Sequence, residues 1–304
     1  MSLSIMGISP QIIIGGPPYG IILRELRAGH VIPFLGSAAS RVISADDPPE
    51  LMPSGAQLAD MLADDANFPS ADDHDRRDLV KVSSYYVDGS NRGALRRRLR
   101  GIFTGGAYHP NDLHRFLARA AEKLLIVTTN YDTLLEQAFL EINKPYDLVV
   151  YPADNQDFAN GVLWWPHGAL DPKKLKPNQI DIADLGKSNL IYKIHGSVNE
   201  QTDQWDSFVI TEEDYVKFLS RMNNAVPAAF REYFSQCEFL FLGYSLRDWN
   251  MRVLLRQVSS DTTSWAILHQ VTAFERKLWQ RRNVDIFDIT LEEFVADIRA
   301  KAGW

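Results

Sequence analysis

The sequence predicts an α/β fold: a doubly wound, mainly parallel sheet, Rossmann-like in plan, with a helical insertion. Three observations lead there. Short apolar segments recur along the chain, and helix-like stretches follow most of them, the alternation that builds parallel sheets. Several are apolar throughout rather than alternating, as in strands buried on both faces. Four of them end in small or polar residues, at the edge where open α/β sheets bind ligands.

The first strand is read at 30–36 (HVIPFLG) and runs into Gly36, Ser37, Ala38, Ala39 and Ser40. The second, at 124–130, ends in Thr129 and Asn130, with Asp132 just beyond as an amphipathic helix begins. The third, at 189–196, ends in His195 and Gly196, followed by Ser197. The fourth, at 238–245, ends in Gly243, Tyr244 and Ser245, with Asp248 beyond. Strands at 264–270 and 284–289 complete the sheet, and helical patterns cover 131–142, 211–221, 226–236, 247–258, 272–282 and 290–301.

Residues 54–120 break this rhythm with four helix-like stretches, read as an insertion capping the ligand edge of the sheet. Residues 151–188 contain Pro152, Pro166, Pro172 and Pro177 and read as a long loop with one short hairpin, a length usual for functional or mobile loops. The expectation is a single domain over residues 1–304, with these two features inside it.

The chain has 304 residues, 45% of them hydrophobic, enough for a well-buried core. Its 32 Lys and Arg against 39 Asp and Glu give a net charge of −7, a poor balance for general nucleic-acid binding. The basic run RGALRRRLR at 92–100 reads first as a solvated helix face, with a site for an acidic partner or nucleic acid as the minority reading. One cysteine, Cys237, excludes an internal disulfide and a Cys-only zinc site. There is no membrane-length apolar segment, and the start lacks a basic signal-type region, so a cytoplasmic protein is expected. Neither G-x-G-x-x-G nor G-x-x-x-x-G-K-[ST] occurs, which lowers the standing of hydride transfer and P-loop hydrolysis.

Helix capping alone would explain either Asn130 or Asp132, and an isolated His195 is more often structural than catalytic. Four polar strand ends at one edge are harder to assign to capping. Gly36 to Ser40 suits a pyrophosphate at a helix start, and His195 suits a base near neutral pH.

These residues also carry a resemblance. FLGSAAS resembles the sirtuin Gly-Ala-Gly-x-Ser turn, TTNYD resembles Thr-Gln-Asn-Ile-Asp, and KIHGS is similar to x-x-His-Gly-Ser. GYSLRD resembles Gly-Thr-Ser-Leu, and HPNDLH at 109–114 resembles the Pro-x-x-x-His preceding the Asn motif. The five occur in order from about residue 30 to 250, and their Tyr-containing forms look most like the bacterial sirtuin-like proteins of anti-phage defence. Departures are Ser37 and Ala38 in the glycine turn, Thr129 for the family Gln, and a missing Gly-Ile-Pro-Asp-Phe-Arg segment, with no residue that clearly replaces its Arg. The two Cys-x-x-Cys pairs of deacylating sirtuins are also absent, so no zinc is expected and a protein deacylase becomes the less favoured use.

The resemblance implies an NAD hydrolase that cleaves the nicotinamide–ribose bond to give nicotinamide and ADP-ribose, or a cyclised product. NAD would be held by Gly36, Ser37, Ser40, Thr129, Asp132, Gly243 and Ser245. Asp132 would take the carboxamide, and Gly243 and Ser245 the adenosine ribose. Asn130 and His195 would be catalytic. It further implies an NAD-depleting effector of antiviral defence (abortive infection), acting as a homo-oligomer or with a ring ATPase or an Argonaute-type partner. Contacts are expected through the insertion and the C-terminal helix with Leu291, Phe294, Val295, Ile298 and Trp304. ADP-ribosyl transfer, deacylation and non-catalytic nucleotide sensing are the alternatives.

Overall fold

The computed structural model describes residues 15–43, 50–70, 72–154, 158, 160–244 and 263–304. It begins with α1 (Tyr19–Ala28) and β1 (Val31–Leu35). Four cap helices follow: α2 (Gly55–Asp65), α3 (Asp73–Arg76), α4 (Leu79–Gly89) and α5 (Arg92–Gly105). Next come α6 (Asp112–Ala120), β2 (Leu125–Thr128) and α7 (Leu134–Glu141). The strands β3 (Tyr146–Val150), β4 (Val162–Trp165) and β5 (Lys173–Leu175) lead to α8 (Ile182–Leu185) and β6 (Asn189–Lys193). A small hairpin, β7 (Gly196–Ser197) with β8 (Ser207–Phe208), precedes α9 (Glu212–Ser220), α10 (Met222–Ala225) and α11 (Ala228–Ser235). Last come β9 (Glu238–Leu242), β10 (Ser264–Leu268), α12 (Ala273–Gln280), β11 (Val284–Asp288) and α13 (Leu291–Ala302).

Nine strands share one sheet in the order β11-β10-β9-β1-β2-β6-β3-β4-β5. Neighbours from β11 to β3 are parallel, and β4 and β5 add an antiparallel edge. The chain leaves β1 on one side for β2 and returns on its other side at β9. The order therefore reverses at β1, the switch point where an open sheet forms a crevice beyond its strand ends. Pro33 gives the ladder no N–H, and β1 pairs with β2 only at Phe34 and Leu35, just beyond it.

The six strands read from the sequence are β1, β2, β6, β9, β10 and β11. The long 151–188 stretch contains β4 and β5, its expected hairpin, which joins the sheet. β3 was not anticipated, because Tyr146, Asp147 and Leu148 are only half-buried and mask the apolar run. The 247–258 helix, Ser245 and Asp248 lie outside the described residues.

Strand side chains alternate between two cores. Ile32 and Phe34 enter the layer with Tyr192, Phe230, Phe241 and Trp279; Val31 and Leu35 enter the layer with Leu117, Phe139, Leu240 and Phe294. The sequence reading of 54–120 as one insertion divides here. Leu58, Leu62, Val82, Leu95, Leu99 and Ile102 of the cap form a third core against Val198, Phe208 and Ile210. By contrast, α6 buries Leu113, Phe116 and Leu117 in the sheet's own layer. The C-terminal helix also departs from expectation. Phe294, Val295 and Ile298 are buried in that layer and are spent inside the fold, while Trp304 stays exposed.

The basic run is not a solvated face. Arg92, Arg96 and Arg100 recur every fourth residue, so they share one face of α5. Arg92 donates to Asp214 at 2.7 Å and to Asp154 at 3.0 Å, and Arg96 also reaches Asp154 at 3.0 Å. Arg100 holds both oxygens of the fully buried Asp206 at 3.1 and 3.0 Å and the Asn199 carbonyl at 2.7 Å. This row of ion pairs fastens the cap to the segment around β7 and β8. Burial pushes the Asp206 carboxyl above its usual range, and Arg100 opposes that shift.

Arg100→Ala is therefore expected to destabilise the protein by about 3 kcal/mol at neutral pH, by leaving a buried carboxylate unpaired. The folded pKa of Asp206 would then rise further above its unfolded value. The deficit is present above that folded value and shrinks as pH falls through it. Urea unfolding at neutral pH and at about pH 5 checks this; a deficit that grows on acidification would contradict it.

Cys237 is buried before β9, and that burial, more than its neighbour Glu238, raises its thiol pKa to about 11. Only roughly one thiol in a thousand is then ionised near pH 8, so native protein should resist thiol reagents until it unfolds.

Candidate active site

The carboxyl ends of β1, β2, β6 and β9 meet under the cap. β1 runs into a short 3-10 turn (Ser37–Arg41) rather than a long helix. Gly36 and Gly243 allow that turn to seat against the end of β9. A Cβ on Gly36 would lie 2.5 Å from the Gly243 carbonyl oxygen, and Gly243 has φ +65°, where a Cβ would overlap the Ala39 backbone nitrogen. Hydrogen bonds cross the same junction, from Gly36 N–H to the Leu242 carbonyl at 3.0 Å and from Ala38 N–H to the Gly243 carbonyl at 3.1 Å. The permissiveness of both glycines is thus used for backbone packing at the switch point.

The turn after β2 is stitched to the turn after β1. Asn130 Nδ2 donates to the Gly36 carbonyl at 3.1 Å and to Ser40 Oγ at 2.9 Å. Ser40 Oγ in turn donates to Asp132 Oδ2 at 2.8 Å. Asp132 Oδ1 accepts the Leu134 N–H at 3.1 Å, so the capping role is real, but the carboxylate serves the Ser40 bond as well. With both Nδ2 hydrogens engaged, Asn130 presents Oδ1 as its acceptor for a ligand hydroxyl or a water.

His195 is buried beyond β6, edge-on to Tyr215 at 5.6 Å and Phe218 at 5.0 Å between ring centres. Its carbonyl accepts the Val209 N–H at 2.9 Å. The Tyr131 ring reaches from this edge to the cap. Its hydroxyl donates to the Val209 carbonyl at 2.6 Å, and it packs against Phe103 and Phe208. Burial holds the Tyr131 phenol well above its usual range, so it remains a neutral hydrogen-bond donor.

Two cavities adjoin at this edge and share Ser37 and Tyr244 in their walls. The smaller, about 210 Å³, is lined by Thr129, Asn130, Asp132 and His195, and by Met52, Leu58 and Phe103 among its apolar residues. The larger, about 510 Å³, lies along β9 and β10 and is lined by Ala38, Arg41, Gly243, His269, Glu275 and Glu292 among others. Of the residues singled out from the sequence, Asn130, Asp132, His195, Thr129 and Ser37 thus share one cavity, and Gly243 lines the other. Gly36 and the buried Ser40 line neither; they build the turn and tie its residues together.

Lys193 and Glu136 escaped the sequence reading. A charged residue inside an apolar strand and another in a helix's first turn each look like a surface feature until the fold buries both. Among the described residues, no group of three His, Cys, Asp or Glu comes together to hold a metal.

The chain matches the SIR2-like domain family over residues 124–287, more than half of its length. It is 29% identical over 182 residues to the NAD(+) hydrolase ThsA of Acinetobacter baumannii (strain 532279), covering 60% of this chain and 31% of that protein. It is 26% identical over 209 residues to the NAD(+) hydrolase ThsA of Bacillus cereus (strain MSX-D12), covering 68% and 37%. It is 27% identical over 203 residues to that of Enterococcus faecium, covering 66% and 36%. The chain spans about a third of the length of these relatives.

Proposed function

The chain belongs to the SIR2-like family, and on that premise we propose that it is an NAD hydrolase, cleaving the bond between nicotinamide and ribose. The observation that carries this reading is the meeting of Asn130, Asp132 and His195, from neighbouring strand ends, in one cavity that adjoins a larger one. A dinucleotide has two halves, and the pair of cavities suits them. The nicotinamide riboside would enter the smaller, under Met52, Leu58 and Phe103, and the adenosine half the larger, beside Gly243. The names of the relatives support the same reaction.

The chemistry asks for few groups. The glycosidic C–N bond breaks with its electron pair going to the pyridinium nitrogen, leaving neutral nicotinamide. The transition state is oxocarbenium-like, as in glycoside hydrolysis. Asp132 would accept from the carboxamide N–H and orient the ring. Asn130 Oδ1 would hold the ribose or the water that attacks the anomeric carbon. His195 would take that water's proton and pass it to solvent, contributing about 10²–10⁴-fold. Water exclusion by the cap and the fixed geometry of the two turns supply the rest.

By the resemblance of its motifs, the protein would act in the cytoplasm as an NAD-depleting effector of antiviral defence. It would work as a homo-oligomer or with a second defence protein such as a ring ATPase or an Argonaute-type protein, since unrestrained NAD loss harms the host. Among the described residues, no helix is long and apolar enough to cross a membrane.

Product analysis tests the reaction. Incubation with NAD, alone and with protein or nucleotide acceptors, should give nicotinamide and ADP-ribose in equal amounts. A cyclic product or a modified acceptor would move the assignment to cyclisation or transfer, and acyl-lysine turnover would move it to deacylation.

A further inference from the structure

Resting on the function proposed above, we infer that Lys193 is a positioning residue for NAD cleavage, acting through a buried clamp with Glu136 and Ser197. Lys193 ends β6, two residues before His195, and is only 1% exposed. Its ammonium meets three oxygens, two through hydrogen bonds and one through an ion-pair contact. One is the backbone carbonyl of Asp132, one is Ser197 Oγ at 3.0 Å, and one is Glu136 Oε1, an ion-pair contact at 2.5 Å. Ser197 continues the tie, donating to the Val198 carbonyl at 2.8 Å.

Those three oxygens belong to different parts of the site. Asp132 closes the turn that carries Asn130. Ser197 follows His195 on β7. Glu136 stands in the first turn of α7. The clamp therefore fixes the Asn130–Asp132 turn relative to the segment of His195 from beneath. Lys193, Glu136 and Ser197 do not appear in the lining of the cavity that Asn130 and His195 share, so the clamp acts through those residues and touches no substrate there.

A purely structural role does not account well for this arrangement. Burying an ion pair is costly, and a well-packed apolar pair of similar volume is often as stable or more so. Burial raises the Glu136 carboxyl pKa, and Lys193 opposes that shift. What the ion pair adds over an apolar pair is direction: a three-way tie at fixed lengths that methyl groups cannot make.

The double variant Lys193→Met with Glu136→Leu separates the two roles. Neither charge is left alone, so its melting temperature should stay within about 5 °C of wild type. Its kcat for nicotinamide release should fall about 10- to 100-fold, the scale of a small misplacement of reacting groups, while KM changes less than about threefold. A folded double variant with wild-type kcat overturns the inference, as does one whose KM rises in step with the loss of kcat. If the double variant does not fold, Ser197→Ala decides: the clamp predicts a severalfold fall in kcat at unchanged KM, and unchanged kcat refutes it. Wild-type protein that leaves NAD intact refutes the proposed function itself, a result distinct from a failure of the clamp alone.

Discussion

His195→Ala and Asn130→Ala should each remove NAD cleavage while leaving the fold in place. For His195 the expected loss is about 10²–10⁴-fold, the contribution of one positioned base. Asn130 has two jobs, an acceptor facing the cavity and a tether to Gly36 and Ser40, so a loss of at least about 10²-fold is expected. The two losses should not add, because base and positioned water act as a unit. Nicotinamide release, measured beside circular dichroism of each variant, checks this. Full turnover by either variant would remove the mechanism; a weak residual rate would not, since binding and orientation persist.

Gly243→Ala should be strongly damaging for so small a change. Its φ of +65° costs an L-residue roughly 1–2 kcal/mol. The added methyl also overlaps Ala39 backbone, which has no flexible end to yield, at a further roughly 1–3 kcal/mol. The turn shared by the two cavities would shift, so weaker NAD binding should accompany a loss of about 3 kcal/mol. Gly101→Ala, inside α5 with open space around the new methyl, is the control and should stabilise by roughly 0.5–1 kcal/mol. Equal urea midpoints for the two variants would contradict this account of Gly243.

The parallel sheet was legible because strands buried on both faces show as unbroken apolar runs, and six such runs are six strands of the sheet. The edge hairpin was legible only as a hairpin, and β3 not at all, since Asp147 interrupts its apolar pattern. The meeting of Asn130, Asp132 and His195 could be inferred from strand-end logic alone. The stitching could not: Ser40 reads as a ligand contact in the sequence, but its hydroxyl bridges Asn130 and Asp132 across about ninety positions of chain. Charge placement was the least legible feature. Arg92, Arg96 and Arg100 look solvated until Asp154, Asp214 and Asp206 arrive from distant segments, and the apolar positions of α13 look available until α1 and α6 cover them.

On the function proposed here, the strand-end cavity breaks the nicotinamide–ribose bond of NAD. A single-turnover experiment tests it most directly, with protein in excess over NAD in ¹⁸O-labelled water, so that even a weakly active, unassembled chain is scored. One nicotinamide should be released per NAD, with ¹⁸O on the anomeric carbon of the ADP-ribose, and His195→Ala should form both at least about 10²-fold more slowly. NAD recovered intact from excess folded protein, or nicotinamide released equally by His195→Ala, would contradict it.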